Sequence, residues 1–242
     1  TVFAAAVLIR KAGIDSATIQ GLAAAYGNIG YMGPGIAILA FGEKAAVPVA
    51  LIFCFENLMH FAVAPMMMAL AGDDKRPPAQ LALDVVRKIA FHPFIIATAA
   101  GVLAAAVHFQ PPLPVSRLID YLAQAAAPCA LFAMGVTLAL RPLKRVPPEL
   151  GYIVPMKLIV HPLLMYLAMS WVGDFDRIWV FTAMLLASLP TATNVFVIGQ
   201  QYGVWTERAS ACILVTTVTS VATVSILLWL ITSGTLPADL FP

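Results

Sequence analysis

The sequence predicts an all-α polytopic membrane protein, and three observations carry that reading. Of its 242 residues, 61% are hydrophobic and only 11% charged, with a mean hydropathy of +0.91. A soluble domain is usually about one quarter charged, so a surface this poor in ionised groups cannot be wetted all round. The apolar residues also fall in long charge-free runs that match the thickness of a bilayer. Those runs are rich in Ala, Leu, Val and Met without strict alternation, whereas barrel strands alternate over about 10 residues. A soluble enzyme, a disordered tail and a nucleic-acid binder are excluded on the same grounds. The formal charge of +2 is too small to draw a polyanion. Cys54, Cys129 and Cys212 all lie in apolar stretches, so no disulfide framework is implied.

The elements follow in chain order. Thr1–Ile9 is an apolar stub closed by Arg10-Lys11. A signal peptide carries its positive charge before the apolar stretch, so the stub reads as the end of a span, and the natural protein is expected to extend further N-terminally. Residues 16–42 carry no charge, and 45–72 carry only Glu56. Residues 89–116 and 121–140 are charge-free, 150–173 contain only Lys157, and 178–206 and 209–238 are charge-free again. Each interval holds the roughly 20 residues that cross about 30 Å of hydrocarbon as a helix. Seven spans plus the stub are therefore expected. Pro-rich or charged breakers mark loops at 73–78, 110–114 and 141–148, with shorter turns at 174–177 and 206–208.

Lys and Arg set the orientation. Arg10, Lys11, Lys75, Arg76, Arg87, Lys88, Arg141, Lys144, Arg145 and Arg208 fall on one side, against Lys44, Arg117 and Arg177 on the other. The richer side, with residues 73–88 and 141–149, is expected to be cytoplasmic, which leaves the C-terminus outside.

Two spans make poor continuous helices. One contains Gly27-Asn28-Ile29-Gly30-Tyr31-Met32-Gly33-Pro34-Gly35, the other Ser188-Leu189-Pro190-Thr191-Ala192-Thr193-Asn194. Helix propensity falls by about 1 kcal/mol per Gly and about 3 for Pro. Either segment alone could be a kinked packing helix whose glycines admit a neighbour. Together they sit at corresponding positions of two halves, each with an Asn beside its breaker. That pairing is the sequence pointer to an inverted-repeat transporter. Non-helical backbone at membrane depth survives only where it is buried or lines a cavity.

Three segments carry a resemblance. Gly27–Gly33, Ala126-Ala127-Pro128-Cys129-Ala130-Leu131-Phe132-Ala133-Met134-Gly135 and Leu189-Pro190-Thr191-Ala192-Thr193-Asn194-Val195-Phe196-Val197 resemble the bacterial auxin efflux carrier family. That family includes proteins described as malonate and malate permeases and is related to the plant PIN carriers. The similarity covers essentially the whole chain and is most specific through Gln200-Gln201-Tyr202-Gly203-Val204-Trp205. It implies a ten-helix fold of two five-helix inverted repeats, whose fourth and ninth helices are broken and cross near the midplane. Residues 1–72 would then be the end of the first repeat (the tail of helix three, then helices four and five), 73–88 a cytoplasmic loop, and 89–242 the second repeat. The chain departs from the family pattern at Gly33-Pro34-Gly35, where Gly-Ile-Pro or Gly-Pro-Pro is usual.

A helix broken at the midplane presents a half-helix N-terminus with about half a positive charge and free N–H groups. The expected substrate-binding set is Asn28, Gly30, Tyr31, Gly33 and Pro34 at the first break, Pro190, Thr191, Thr193 and Asn194 at the second, and Lys157. The amides could instead only repair the broken backbone. Lys157 could offset an anion, pair with a buried acid or snorkel to the interface. Glu56 and His60, four residues apart, and His161, one helical turn beyond Lys157, are candidates for H⁺ or Na⁺ coupling, with a structural polar pair as the alternative. No metal or cofactor is expected. His92 reads as an interfacial cap, and the Ser/Thr run of the last span as a path lining or interhelical glue.

The leading expectation is a secondary transporter in the cell inner membrane. It would move a small mono- or dicarboxylate such as malonate or malate by alternating access, with the lipid bilayer as its environment and a homodimer compatible with this. The carboxylate class comes from the resemblance alone. A same-fold transporter of a bile-acid-like or inorganic anion is the nearest alternative. An intramembrane enzyme or sensor is the other class: Ser188 with His161 is imaginable, but no motif joins them.

Overall fold

The uncharged interval 16–42 does not form one helix. In the computed structural model, which describes residues 1–72, 77, 79–80, 83, 86–87, 90–91, 93–140 and 146–240, α1 (Val2–Leu8) leads into α2 (Ile14–Ala25), and α3 runs from Ile29 to Phe41. Tyr26 is extended (φ −71°, ψ 108°), and Tyr26–Asn28 form the gap. The sequence predicts a longer non-helical stretch, through Gly35. Instead Gly30, Gly33, Pro34 and Gly35 all lie inside α3. The glycine penalty is measured in water, which competes for freed N–H and C=O groups. Inside an apolar bundle an unpaired backbone group costs several kcal/mol, so the chain remains helical wherever it can.

A short 3₁₀ turn (Glu43–Ala45) opens α4 (Ala46–Leu70). Next come α5 (Pro93–Ala106) and α6 (Leu113–Ala139). The break predicted at 110–114 is thus displaced to 107–112, because Pro114 sits in the first turn of α6, where a missing N–H costs nothing. Arg117 and Asp120, the charges that separate the intervals 89–116 and 121–140, also belong to α6. His92 and most of the predicted loops 73–88 and 141–149 lie outside the described residues.

α7 (Leu150–Pro155) passes through a π-helical turn (Met156–Val160) into α8 (His161–Val172). Pro155 and Pro162 bracket that turn, which widens to re-pair the carbonyls the two rings leave over. α9 (Arg177–Ser188), capped by Asp176 through Ile178 N–H at 2.8 Å, stops before Pro190. α10 (Thr193–Tyr202) follows after Leu189–Ala192, and α11 (Thr206–Thr232) closes the bundle. The described residues contain no strand. Three of their helical stretches are long and apolar enough to cross a membrane, Glu43–Leu70, Leu150–Val172 and Thr206–Thr232, with Ile29–Phe41 and Arg177–Ser188 as shorter apolar helices.

Two buried clusters join early and late parts of the chain. Ile19, Leu22 and Tyr26 of the first part pack with Ile153, Val195 and Cys212. Ile29, Val49 and Phe53 pack with Leu185, Leu186 and Val224. At one end of the bundle the buried Glu149 receives Arg208 at 2.7 Å and Arg10 at 3.6 Å, two cations that the charge count assigns to one face.

The turn between α10 and α11 explains why 199–205 reads so distinctively. Gly203 (φ 68°) and Trp205 (φ 58°) are both left-handed, and Val204 N–H folds back onto the Gly199 carbonyl at 2.9 Å. A β-carbon at Gly199 would stand 2.8 Å from the Val204 carbonyl oxygen. Both atoms involved are held by backbone, so neither can yield cheaply. Gly199→Ala should therefore cost about 1–3 kcal/mol, read as a lower unfolding midpoint in detergent. An unchanged midpoint would mean that the turn opens freely.

Candidate functional site

The two gaps meet. Asn28 N–H donates to the Pro190 carbonyl at 2.8 Å, and Ala192 N–H to the Tyr26 carbonyl at 2.9 Å. Together they form one antiparallel bridge, Gly27 against Thr191. Each gap thus supplies the partners that the other lost on leaving its helix. Side chains extend the repair. Thr191 Oγ1 donates to the Ala23 carbonyl (2.7 Å), and Thr191 N–H donates to Thr216 Oγ1 (3.2 Å). Of the two roles open to the Ser/Thr run of the last span, Thr216 performs the interhelical one.

Beside the bridge lies a cavity of about 210 Å³, lined by Tyr26, Gly27, Asn28, Gly30, Tyr31, Phe53, Ala192, Thr193 and Asn194. It is smaller than the pockets of about 300–1,000 Å³ that hold drug-sized molecules, and its scale suits a small metabolite. Asn28, Gly30 and Tyr31 stand at the start of α3, and Thr193 and Asn194 at the start of α10. Two helix N-termini, each worth about half a positive charge, therefore open on one space. Asn28 is buried and Tyr31 is half exposed. Asn194 Nδ2 donates to the Tyr26 hydroxyl (2.7 Å), which donates to Asn57 Oδ1 (2.6 Å), whose Nδ2 donates to the Phe53 carbonyl (2.9 Å).

Of the sequence-predicted set, Asn28, Gly30, Tyr31, Thr193 and Asn194 share this lining. Gly33, Pro34, Pro190, Thr191 and Lys157 are outside it. Pro190 and Thr191 build the bridge, and Gly33 is buried against Ile29 and Leu186. Tyr26 and Phe53 escaped the sequence reading. Tyr26 directly precedes the gap, a position that could have flagged it, whereas nothing local marks Phe53.

Lys157 does not snorkel. Its side chain is wholly buried, with Nζ 2.9 Å from the Ala187 carbonyl and 3.1 Å from His161 Nδ1. An ammonium only donates, so His161 Nδ1 is the bare nitrogen. Ala187 lies in the last turn of α9, where a cation complements both an orphan carbonyl and the helix dipole.

Gly27 stands between this cation and an acid. Its N–H donates to Glu56 Oε1 at 2.9 Å, while a β-carbon on it would come 3.4 Å from Lys157 Nζ and 3.2 Å from the Leu186 carbonyl. A side chain there would crowd the Leu186 carbonyl and touch the ammonium. Glu56 Oε2 is buried and has no hydrogen-bond partner among the described residues. His60 stacks on Tyr26 (centroids 4.0 Å apart, planes 3° apart), and its Nδ1 lies 2.7 Å from the Glu56 carbonyl. A carbonyl only accepts, so Nδ1 carries the proton. Among the described residues no group of three or more His, Cys, Asp or Glu is placed to hold a metal.

Comparison with known proteins adds the following. Residues 55–230 match the family model described as "Membrane transport protein". The whole chain aligns at 71% identity with a protein of Rhizobium meliloti (strain 1021) described as "Putative malonate transporter", of which it spans 75%. It also aligns at 25% identity, over 91% of its length and 70% of the relative's, with an "Uncharacterized transporter" of Methanothermobacter thermautotrophicus (strain Delta H).

Proposed function

From the premise that this chain belongs to the auxin efflux carrier family of membrane transport proteins, we propose that it moves a small organic anion, a dicarboxylate such as malonate or malate, by alternating access. The single observation that carries this reading is the cavity at the crossing, onto which the N-termini of α3 and α10 both open. Backbone N–H groups and dipole ends attract carboxylates without a fixed cation, and discontinuous helices that meet inside a bundle are the usual place for such a site in transporters. Asn28, Thr193 and Asn194 would supply further donors, and Tyr31 would stand at the open side. Sites of this kind bind and release without chemistry, in keeping with a transporter that returns its substrate unchanged.

On this reading α2–α3 and α9–α10 are the two broken helices of an inverted repeat, split between residues 1–72 and 89–242. The protein would sit in the inner membrane with Arg10, Arg208 and Glu149 at the cytoplasmic end. The relative described as a malonate transporter supports malonate as the first substrate to try.

The test is counterflow. Proteoliposomes of the purified full-length protein, loaded with unlabelled malonate, should take up labelled malonate transiently above its equilibrium level, and malate should compete. Counterflow with an inorganic anion or a bile acid, and none with any carboxylate, would overturn the substrate class.

A further inference from the structure

We propose that Glu56 is a proton-binding site coupled to the crossing: it takes up one proton as a carboxylate enters the cavity and releases it as the carboxylate leaves. The proposal rests on the organic-anion reading above.

The geometry comes first. Gly27 lines the cavity and its N–H holds Glu56 Oε1, so an anion seated there is one residue away from the Glu56 carboxylate. Lys157 approaches the same glycine from another side. Empty, the buried region holds one carboxylate and one ammonium and is neutral. An arriving anion adds negative charge beside a carboxylate that little water screens, and like charges at such range repel strongly.

The neighbouring groups determine where relief can come from. The Tyr26 hydroxyl, from α2, is committed to Asn57 and Asn194. His60, on α4 itself, holds the Glu56 carbonyl, and His161, from α8, accepts from Lys157. Tyr31 of α3 is half exposed at the cavity, and Cys212 of α11 lies 3.6 Å from Thr191 Oγ1. Of the charged residues of the 3₁₀ turn and α9, Glu43 and Lys44 lie at the start of α4 and Arg177 at the start of α9, each far along its helix from this region. Among these groups Glu56 Oε2 is the one buried acceptor with no donor.

A proton from solvent forms an O–H bond at Oε2, the carboxylate becomes a neutral acid, and no electrons move. Lys157 is then released from balancing Glu56 and offsets the substrate. For a dianion the remaining charge meets the two helix N-termini, about half a unit each.

The experiment is titration calorimetry of malonate into the purified full-length protein in detergent. It uses mildly alkaline conditions, where both malonate carboxyls are ionised, and two buffers of different ionisation heat. The wild type should take up about one proton per malonate, and its affinity should fall about tenfold per pH unit. Glu56→Gln, a fixed mimic of the protonated acid, should bind with no proton uptake and a flat pH profile. Equal proton uptake by both proteins overturns the proposal, as does a Gln variant that folds but binds no malonate. A flat wild-type profile, or one that follows Na⁺ at constant pH, also overturns it, and these two need no variant. Wild type that binds no carboxylate at any pH overturns the anion reading itself.

Discussion

Lys157→Met should lower the unfolding midpoint in detergent by the equivalent of about 1–3 kcal/mol, the cost of leaving the buried Ala187 carbonyl without a donor. The thioether fills nearly the same volume, so packing is not what is lost. What is lost is the donor to the Ala187 carbonyl at the end of α9 and to His161, and the positive charge opposite Glu56 across Gly27. The carboxylate, with its buried Oε2 unpartnered and no cation opposite, must then stay charged at a cost or bind a proton, so the loss should deepen as pH rises. The loss should be partly reversed in the double variant Lys157→Met/Glu56→Gln, because removing both charges restores neutrality, and a positive coupling energy in that cycle measures the pair. A double variant no more stable than Lys157→Met alone would show that Lys157 acts only as a helix cap.

Asn28→Asp and Asn194→Asp should each reduce malonate counterflow about a thousandfold at neutral pH. The magnitude follows from about 4 kcal/mol of repulsion between unit charges about 4 Å apart at an effective dielectric of 20. The two variants should differ in stability. Asn28 stands at the N-cap position of α3, where the helix dipole favours an acid, so that protein should lose less stability than the Asn194 variant and fail chiefly in transport. Asn194 starts a directed chain, amide to Tyr26 hydroxyl to Asn57 to the Phe53 carbonyl. A carboxylate there can only accept, so Tyr26 must turn its proton away from Asn57, leaving a buried amide oxygen without a donor at about 1–3 kcal/mol. Full activity in both Asp variants would show that the anion binds elsewhere.

The residues that announced the site did so by being bad at something. Pro190 and its polar neighbours cannot continue a helix, and α9 stops at Ser188. Gly27 and Asn28 mark the other gap, but Gly30 through Gly35 sent the reading too far, because helix propensity is a water-based quantity and these residues lie in an apolar bundle. The length of α6 was hidden differently: Arg117 and Asp120 interrupt the charge-free run, yet both lie within one helix. Lys157 was legible as an oddity, although sequence alone could not choose between snorkelling and burial. That choice depends on Ala187 and His161 meeting it, one of them 30 residues away in the chain. Phe53 was out of reach altogether, since its place in the lining comes from how α4 packs beside α3.

The bridge between Gly27 and Thr191 has a mechanical consequence. Its two bonds, with the Thr191 hydroxyl on Ala23 as a third, lash the two gaps together. Sliding one gap past the other by about an ångström would carry these bonds beyond hydrogen-bonding distance and bare polar atoms that only hydrocarbon or protein could meet, at several kcal/mol each. Under the alternating-access proposal the two gaps would therefore move as one piece, and opening and closing would fall to the helices around them. On that proposal a disulfide placed across the bridge would leave transport intact, while one between the bridged gaps and a neighbouring helix would arrest it.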